Sequence, residues 1–364
     1  MRVIVSVFNN LYTDQRVEKV CRTLSENGYT IELIGNNWGG LPPINRNYTV
    51  TRLKLRSKIL RFAYLEFQWK LYKHLLQKAD EKCILLSNDL DTLLPNYLIA
   101  NKLQIPLVFD SHEIFTEMPS VKGRFTQKIW RVLEKQILPK IRFMMTASES
   151  YADWFVKTYQ IERPVVLQNF PLYIPSFQNS EVNHPQIILY QGVINPSRGL
   201  DKMIPAMKHI SAAELWIAGD GPKKIEYEGL ANGLGLQNKI RFLGKLLPED
   251  LRKITHKADV GLSIEENNGL SYYYSLPNKI SDYIQARVPI VVSDFPEMSK
   301  VVDTWQVGVK IGDHNELAEK INKVLQNGKH FYSYNLEKAA VVMCWEKEEP
   351  KLLHLFQKVT EENF

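Results

Sequence analysis

The chain has 364 residues, more than a single hydrophobic core usually organises, so two domains are expected. Its 45% hydrophobic and 24% charged residues are typical of a water-soluble globular protein, and no run of eighteen apolar residues suggests a membrane-spanning helix. The three cysteines are isolated, which argues against a disulfide framework or a zinc motif. The N-terminus lacks a signal-peptide pattern, so a cytoplasmic protein is predicted.

A parallel strand, helix and strand open the chain. Residues 3–8 form an apolar strand, residues 15–27 a helix that ends at Gly28, and residues 29–34 the next strand. The loop that holds Asn10 and Asp14 is expected at the carboxyl edge of the sheet, where ligands bind in such folds. It lacks a Gly-x-Gly-x-x-Gly pattern, so nicotinamide or flavin binding is not supported.

Two further strands deliver polar residues to the same edge. After the loop at residues 39–47, the strand at 48–55 and the helix at 62–78, the strand at 84–87 precedes Asp89 and Asp91. The strand at 107–109 precedes Asp110, Ser111, His112 and Glu113. A histidine beside carboxylates at a strand end suits a general base or a group that orients a sugar. A purely structural role for His112 stays open.

The net charge of +6 is concentrated in two stretches. Residues 52–82 carry nine Lys or Arg against three Asp or Glu, and residues 122–142, predicted to be a helix, carry seven against one. Both stretches also contain aromatic residues, a combination that can dock on anionic lipid at the inner face of a membrane. The alternative is a pair of ordinary amphipathic helices, each with a solvated basic face.

A second series of strands and helices follows a strand at residues 143–147 and a proline-rich linker at residues 164–185. Strands are predicted at residues 187–191, 214–218 and 239–243, and helices at 200–209 and 248–256. The predicted fold class is therefore α/β, with two tandem Rossmann-like, doubly wound domains that face one another across a cleft.

The stretch from 263 to 297 has the pattern of a phosphate-binding unit. A buried strand at 260–264 enters a polar loop, and Pro277 and Asn278 begin a helix whose first turn contains Lys279. The backbone N–H groups and positive end of such a helix favour a phosphate, and Asp282 one turn later can accept hydrogen bonds from sugar hydroxyls. An ordinary β-α-β unit with a polar loop is the alternative.

The order of these motifs resembles the retaining glycosyltransferases of family 4, which have the GT-B fold, along essentially the whole chain. The motifs that carry the resemblance are Thr13-Asp14-Gln15-Arg16, residues 88–95, Asp110-Ser111-His112-Glu113, Asn169 before Pro171, residues 192–199, Gly219-Asp220-Gly221-Pro222, Phe242-Leu243-Gly244 and Leu276-Pro277-Asn278-Lys279.

The resemblance implies an acceptor-binding domain at residues 1–175, joined by a C-terminal helix at 346–364, and a donor-binding domain at residues 176–345. The implied catalytic residues are His112, Glu113, Arg198 and Lys279. The implied acceptor-binding residues are Asn10, Asp14, Arg16, Asp89, Asp91 and His112. The implied donor-binding residues are Gly192, Arg198, Gly219, Asp220, Gly221, Lys245, Glu266, Asn268, Gly269, Leu270, Ser271, Pro277, Asn278, Lys279 and Asp282.

Two departures from the family pattern stand out. Tyr274 occupies the place of the first of two paired glutamates, and Glu265 or Glu266 is the candidate to replace it. Val193 occupies the place of a basic residue, for which Lys245 or Lys279 is the candidate. These losses leave an inactive relative as an alternative.

The predicted function is transfer of a sugar from a UDP- or GDP-sugar, with retention, to a growing and lipid-linked glycan in surface-polysaccharide synthesis. No cofactor or metal is predicted, because Arg198 and Lys279 can stabilise the leaving diphosphate. Asp89 and Asp91 have the spacing of a metal motif but lie in the acceptor half. The alternatives are a nucleotide-sugar epimerase that uses His112 and Glu113, and a nucleic-acid-binding protein, for which no recognised motif is present.

Overall fold

The computed structural model describes residues 1–12, 14–39, 43–175 and 183–364. Thr13 of the first motif, part of the predicted loop at 39–47, part of the predicted linker and the first residues of the predicted donor domain lie outside these ranges. The chain divides into two compact units, Met1–Gln168 with Glu348–Phe364, and Asn169–Lys347. Each unit is described by itself.

The N-terminal unit contains a seven-stranded parallel sheet in the order β3-β2-β1-β4-β5-β6-β7. Its strands are β1 (Arg2–Ser6), β2 (Thr30–Asn36), β3 (Thr49–Leu53), β4 (Cys83–Asn88), β5 (Leu107–Ser111), β6 (Phe143–Thr146) and β7 (Val165–Val166). Its first five helices are α1 (Gln15–Glu26), α2 (Leu60–Lys78), α3 (Leu90–Leu103), α4 (Phe125–Ile137) and α5 (Glu149–Tyr159). The strand order reverses between β1 and β4, where Asn88 Nδ2 donates to Ser6 O at 3.1 Å.

The C-terminal unit repeats the design with six parallel strands in the order β10-β9-β8-β11-β12-β13. They are β8 (Gln186–Gln191), β9 (Ala213–Ala218), β10 (Ile240–Gly244), β11 (Val260–Ser263), β12 (Ile290–Ser293) and β13 (Gly308–Ile311). The helices are α6 (Leu200–Ala206), α7 (Lys224–Gly233), α8 (Pro248–Lys257), α9 (Leu270–Tyr273), α10 (Asn278–Gln285), α11 (Pro296–Trp305) and α12 (Leu317–Val342), which is interrupted at Gly328. Here the strand order reverses between β8 and β11.

The last helix, α13 (Trp345–Asn363), packs in the N-terminal unit from Glu348 onward. Its Phe356 is fully buried, and the Phe356 ring meets the ring of Tyr29 at 5.8 Å. Thr23 Oγ1 donates to Glu349 Oε1 at 2.8 Å. Both ends of the chain therefore belong to the same unit.

Local sequence explains why these elements form. The central strands β1 and β4 are buried along almost their whole length, as expected of parallel strands covered by helices on both faces. In the C-terminal unit, a Cβ at Gly261 would lie 2.4 Å from the Tyr283 ring, so only glycine lets α10 pack this closely on β11.

The two doubly wound parallel units confirm the predicted fold class, although several local predictions were wrong. The linker predicted at residues 164–185 contains β7, which pairs with β6. Asp110 and Ser111 lie in β5 and not in the loop after it. The helices α3, α5, α7, α9 and α11 were not predicted. No helix in the described ranges has both the length and the apolar character that crossing a membrane requires.

Candidate functional site

A strained backbone marks the carboxyl ends of β4 and β5 in the N-terminal unit. Asp89 has a φ of +58° and occupies the N-cap position of α3. For a residue other than glycine this conformation costs about 1–3 kcal/mol and persists only where surrounding contacts enforce it. Here Asp89 N donates to Asp110 O at 2.8 Å, and Asp89 Oδ1 accepts from His112 N at 3.0 Å.

The His112 ring lies between two carboxylates. Its Nδ1 is 3.1 Å from Asp89 Oδ2, and its Nε2 is 3.2 Å from Asp110 Oδ2. Burial alone would lower the pKa of His112, but the charges of Asp89 and Asp110 raise that pKa well above its ordinary value. Both ring nitrogens therefore face carboxylates that favour the protonated form of His112. A catalytic role for His112 stays a prediction.

Arg16, predicted to bind the acceptor, is held by a buried ion pair. Its Nε and Nη2 donate to the two carboxylate oxygens of Asp110 at 2.9 and 2.7 Å, and Nη1 donates to Leu167 O at 2.6 Å. Only 4% of the Arg16 side chain is exposed. Burial opposes the charge on Asp110, but the Arg16 and His112 charges hold the pKa of Asp110 well below its usual range. Arg16 thus fixes Asp110, which in turn faces His112.

The loop after β1 uses its polar side chains locally. Asp14 is the N-cap of α1, where its Oδ1 accepts from Val17 N at 3.0 Å and its Oδ2 accepts from Asn9 Nδ2 at 2.5 Å. Asn10 Oδ1 accepts from Tyr12 N at 3.1 Å. These contacts give Asp14 and Asn10 structural roles, and acceptor binding by either residue stays a prediction.

Two unsatisfied oxygen atoms occur where α2 contacts the start of α3. Asp91 Oδ1 and Gln68 Oε1 are buried and have no hydrogen-bond partner among the described residues, while Gln68 Nε2 donates to Asp91 O at 2.6 Å. Burial, reinforced by the charge of Asp89, raises the pKa of Asp91 well above its ordinary value. The charge of Glu113 also raises the pKa of Asp91. Asp91 Oδ1 and Gln68 Oε1 are therefore two buried polar atoms whose hydrogen bonds are not made among the described residues.

In the C-terminal unit, one buried carboxylate holds both predicted phosphate-binding cations. Arg198 Nη1 donates to Glu265 Oε2 at 2.8 Å, and Lys279 Nζ donates to Glu265 Oε1 at 2.9 Å. Arg198 also lies 4.4 Å from the centre of the Tyr272 ring, and Lys279 lies 4.5 Å from the centre of the Tyr190 ring. The two cations and one carboxylate leave a single net positive charge at the reversal point between β8 and β11.

Burial and the neighbouring charges shift the pKa values of Glu265 and Lys279 in opposing directions. Burial would raise the pKa of Glu265, but the charges of Lys279 and Arg198 lower that pKa below its ordinary value. Burial lowers the pKa of Lys279, and so does the charge of Arg198, against the attraction of Glu265. Because Glu265 is fully buried and bonded to both cations, it does not replace the missing paired glutamate as a contact to the donor sugar.

Glycines allow the backbone to approach this cluster. A Cβ at Gly219 would lie 1.8 Å from Gly192 O, and a Cβ at Gly192 would lie 3.8 Å from Lys279 Cε. A Cβ at Gly221 would lie 2.4 Å from Ile194 O. Asp220 is exposed, and its Oδ1 accepts from Gly221 N. The predicted glycines therefore shape a tight turn beside Lys279.

The loop after β11 is tied to the loop after β8. Glu266 N donates to Ser197 O at 3.1 Å, and Asn268 Nδ2 donates to Ser197 Oγ. Gly269 is the N-cap of α9, which begins with Leu270 and the buried Ser271. Pro277 precedes α10, which begins with the exposed Asn278.

Asp282 and Lys245 are the two remaining residues of the predicted donor site. Asp282 Oδ2 accepts from Gln191 Nε2 at 2.8 Å, so the predicted ribose-binding carboxylate is fixed at the end of β8. Lys245 is exposed after β10 and has no contact that joins it to Glu265. The sequence did not indicate Gln191 and Tyr190, because a strand amide and a strand tyrosine carry no motif of their own; Ser197 lies within the motif at residues 192–199 but was not singled out.

Among the described residues, no three His, Cys, Asp or Glu side chains are grouped as metal ligands would be. The proposal that transfer needs no metal stays a prediction.

Two family models match the chain in succession. Residues 14–170 match the model for glycosyltransferase family 4, and residues 175–339 match the model for glycosyl transferases group 1.

The curated relatives with similar sequences are transferases by name. Alpha-D-kanosaminyltransferase of Streptomyces kanamyceticus is 21% identical over 254 residues, which cover 64% of each chain. The chain spans less than two thirds of the length of the curated relatives that it matches.

Solved structures show the same fold at low identity. Sucrose-phosphate synthase from Thermosynechococcus elongatus has a TM-score of 0.82 at 14% identity, with 100% of both chains covered. WaaG, a glycosyltransferase involved in lipopolysaccharide biosynthesis, has a TM-score of 0.73 at 15% identity, with 96% of this chain and 98% of WaaG covered. The predicted GT-B fold is confirmed.

Proposed function

The chain belongs to the family 4 glycosyltransferases, and from this premise we propose that it transfers a sugar, with retention, from a nucleoside-diphosphate donor to a glycan acceptor. The observation that carries the proposal is the cluster of Arg198, Lys279 and Glu265 at the strand-order reversal of the C-terminal unit. Open α/β sheets bind their ligands at this position.

The cluster suits a diphosphate. Glu265 fixes the two cations in place, and Lys279 lies beside the backbone at Gly192, where a Cβ would be 3.8 Å from Lys279 Cε. As the bond from sugar to diphosphate breaks, negative charge grows on the departing oxygen. Cations that are already positioned stabilise that charge without reorganising, so they can do so without a divalent metal. Asp282 accepts hydrogen bonds from the ribose hydroxyls of a UDP- or GDP-sugar.

The acceptor binds in the N-terminal unit beside Asp91 and Gln68, whose buried oxygens lack donors among the described residues. Hydroxyl groups of the acceptor glycan supply these donors. His112 and Asp89 hold the ends of β4 and β5 in the required geometry, and the positive charge on His112 offsets the carboxylates around it.

We further propose that the acceptor is lipid-linked and that the enzyme works at the inner face of a membrane, in surface-polysaccharide synthesis. Leu65, Trp69 and Phe125 are 69%, 56% and 76% exposed on α2 and α4. The two helices are neighbours, since the rings of Tyr64 and Trp130 lie 6.5 Å apart. Exposed apolar side chains among Lys and Arg fit an anionic lipid surface.

A vesicle assay tests this placement. The protein should sediment with vesicles that contain anionic lipid at low salt and be released at high salt, because Debye screening weakens the attraction of its basic residues. Trp69→Glu should weaken binding, whereas Phe331→Glu, at an exposed site in the C-terminal unit, should not. If the amount of sedimented protein is the same at low and high salt and in both variants, the membrane proposal is contradicted.

Release of nucleoside diphosphate from a panel of UDP- and GDP-sugars tests the transferase proposal. One donor should be consumed with EDTA present, and the anomeric configuration of its product, read by NMR, should match that of the donor. If the donor is consumed only when a divalent metal is present, the proposal of metal-independent transfer fails. If the product has the inverted configuration, the proposal of retention fails.

A further inference from the structure

A cavity of about 600 Å³ opens within the N-terminal unit at the carboxyl ends of β1 and β2. Phe8 and Asn10 come from the loop after β1, Asn36 is the last residue of β2, Trp38 follows it, and Tyr64 comes from α2. The volume lies within the range of cavities that hold small organic ligands. None of these five side chains except Asn10 entered the predicted acceptor site.

One side of the cavity is aromatic. The rings of Phe8 and Tyr64 stack with centroids 4.2 Å apart and planes 19° from parallel, and the Trp38 ring lies 6.2 Å from Phe8. All three side chains are half-buried, so each keeps part of its surface accessible. Half-buried rings of this kind offer a flat apolar surface to the C–H face of a sugar.

One residue of the cavity lining, Asn36, has a buried hydrogen-bond donor without a partner among the described residues. Asn36 is 1% exposed, and its Oδ1 already accepts from Trp38 N at 3.0 Å. Its Nδ2 has no hydrogen-bond partner among the described residues. Leaving such a donor unsatisfied costs about 1–3 kcal/mol, which a ligand hydroxyl in the cavity would recover.

The charges around the cavity select the kind of ligand. The described lining residues are aromatic, amide-bearing or glycine, and none carries a formal charge. Burial, together with the charges of Asp91 and Asp89, raises the pKa of Tyr64, which places that ring within electrostatic reach of the acidic cluster. The described lining therefore offers no cation to pair with an anionic ligand.

We propose that this cavity binds an uncharged sugar ring of the acceptor, with Trp38 as its stacking platform and Asn36 Nδ2 as a donor to a ring hydroxyl. The inference rests on the proposed function, which supplies the reason for an acceptor sugar. The inference also specifies the chemistry of the acceptor: the sugar bound in this cavity carries neither a carboxylate nor a phosphate.

Saturation-transfer NMR with methyl glycosides tests the subsite on the full-length protein. Uncharged methyl hexosides should receive saturation, and methyl glucuronide and hexose 6-phosphates should not. Trp38→Ala should weaken hexoside binding about tenfold through loss of the stacking surface, and Trp38→Phe should restore part of it. Asn36→Asp keeps an acceptor for Trp38 N but removes the donor, so it should also weaken binding.

Phe331→Ala is the control, because Phe331 is an exposed aromatic residue on α12 of the C-terminal unit that does not line the cavity. It should leave hexoside binding unchanged. Equal hexoside binding by wild type and Trp38→Ala, preferential binding of the anionic sugars, or no binding of any hexoside would overturn the subsite. Nucleoside-diphosphate binding measured in the same samples reports the proposed function separately, since no cavity residue belongs to the Glu265 cluster.

Discussion

Glu265 shows what a single residue contributes to the candidate donor site. The sequence predicted Arg198 and Lys279 as phosphate ligands but could not show that one buried carboxylate binds both. The three residues lie in different segments of the chain, and no local pattern encodes their meeting. The structure therefore changes the role of Glu265 from a candidate sugar contact to the counter-ion that positions two cations.

Glu265→Gln removes that counter-ion and leaves two cations close together. We expect the free energy of unfolding to fall by about 3–5 kcal/mol, because each partly buried cation loses its partner. Urea denaturation measures this loss. Glu266→Gln, the same chemical change at the less buried neighbouring position, is the control and should cost little. Equal losses in the two variants would contradict the assigned role.

The charge on His112 should make stability depend on pH. Because Asp89 and Asp110 raise the folded-state pKa of His112, its contribution is complete below the unfolded-state value of about 6.5 and is lost as pH rises through the folded-state pKa. His112→Asn should therefore cost more stability at pH 6 than at pH 9. Urea denaturation at both values tests the sign, and a cost that is unchanged or larger at pH 9 would refute it.

At the scale of elements, α1 was well predicted because its signals are local. The expected range of 15–27 compares with an observed Gln15–Glu26, since Asp14 caps its start and Gly28, with a φ of +87°, follows its end. In contrast, α3 was missed because Pro95 lies inside it and its cap, Asp89, has an unusual backbone conformation. The cavity at Trp38 also had no signal, because its walls come from separate elements.

Asp14 allows the capping role to be separated from any acceptor role. Asp14→Ala should lower the free energy of unfolding by about 1 kcal/mol through loss of the bond to Val17 N. Asp14→Asn keeps an oxygen acceptor and should retain most of that stability. If Asp14→Asn nevertheless slows transfer, the carboxylate also serves the acceptor; if it loses as much stability as Asp14→Ala, the capping account fails.

At the scale of the whole molecule, the alternation of strands and helices was enough to predict two doubly wound domains. The boundary between the two domains was harder to predict, because β7 lies within proline-rich sequence and pairs with β6 over only two residues. The return of α13 to the N-terminal unit is visible in structure through Phe356 and Glu349, whose partners Tyr29 and Thr23 are more than three hundred residues away in sequence.

Phe356→Ala should destabilise the N-terminal unit by about 3–5 kcal/mol, since it leaves a cavity beneath α13. Differential scanning calorimetry should show this loss, with nucleoside-diphosphate affinity unchanged because the donor cluster lies in the other unit. Phe331→Ala, at an exposed position of α12, should have little effect on stability. Comparable destabilisation by both substitutions would show that α13 packing does not stabilise its unit.

The most direct test of the account is thermal stabilisation by UDP and GDP, each measured with and without magnesium. One diphosphate should stabilise the wild type without metal, by about 2.7 kcal/mol at one hundred times its dissociation constant. Arg198→Ala should abolish the shift, whereas Arg241→Ala, the same charge change at the amino end of β10, should retain it. A wild type that responds to neither diphosphate, or an Arg198→Ala variant that responds as the wild type does, would contradict the proposed donor site.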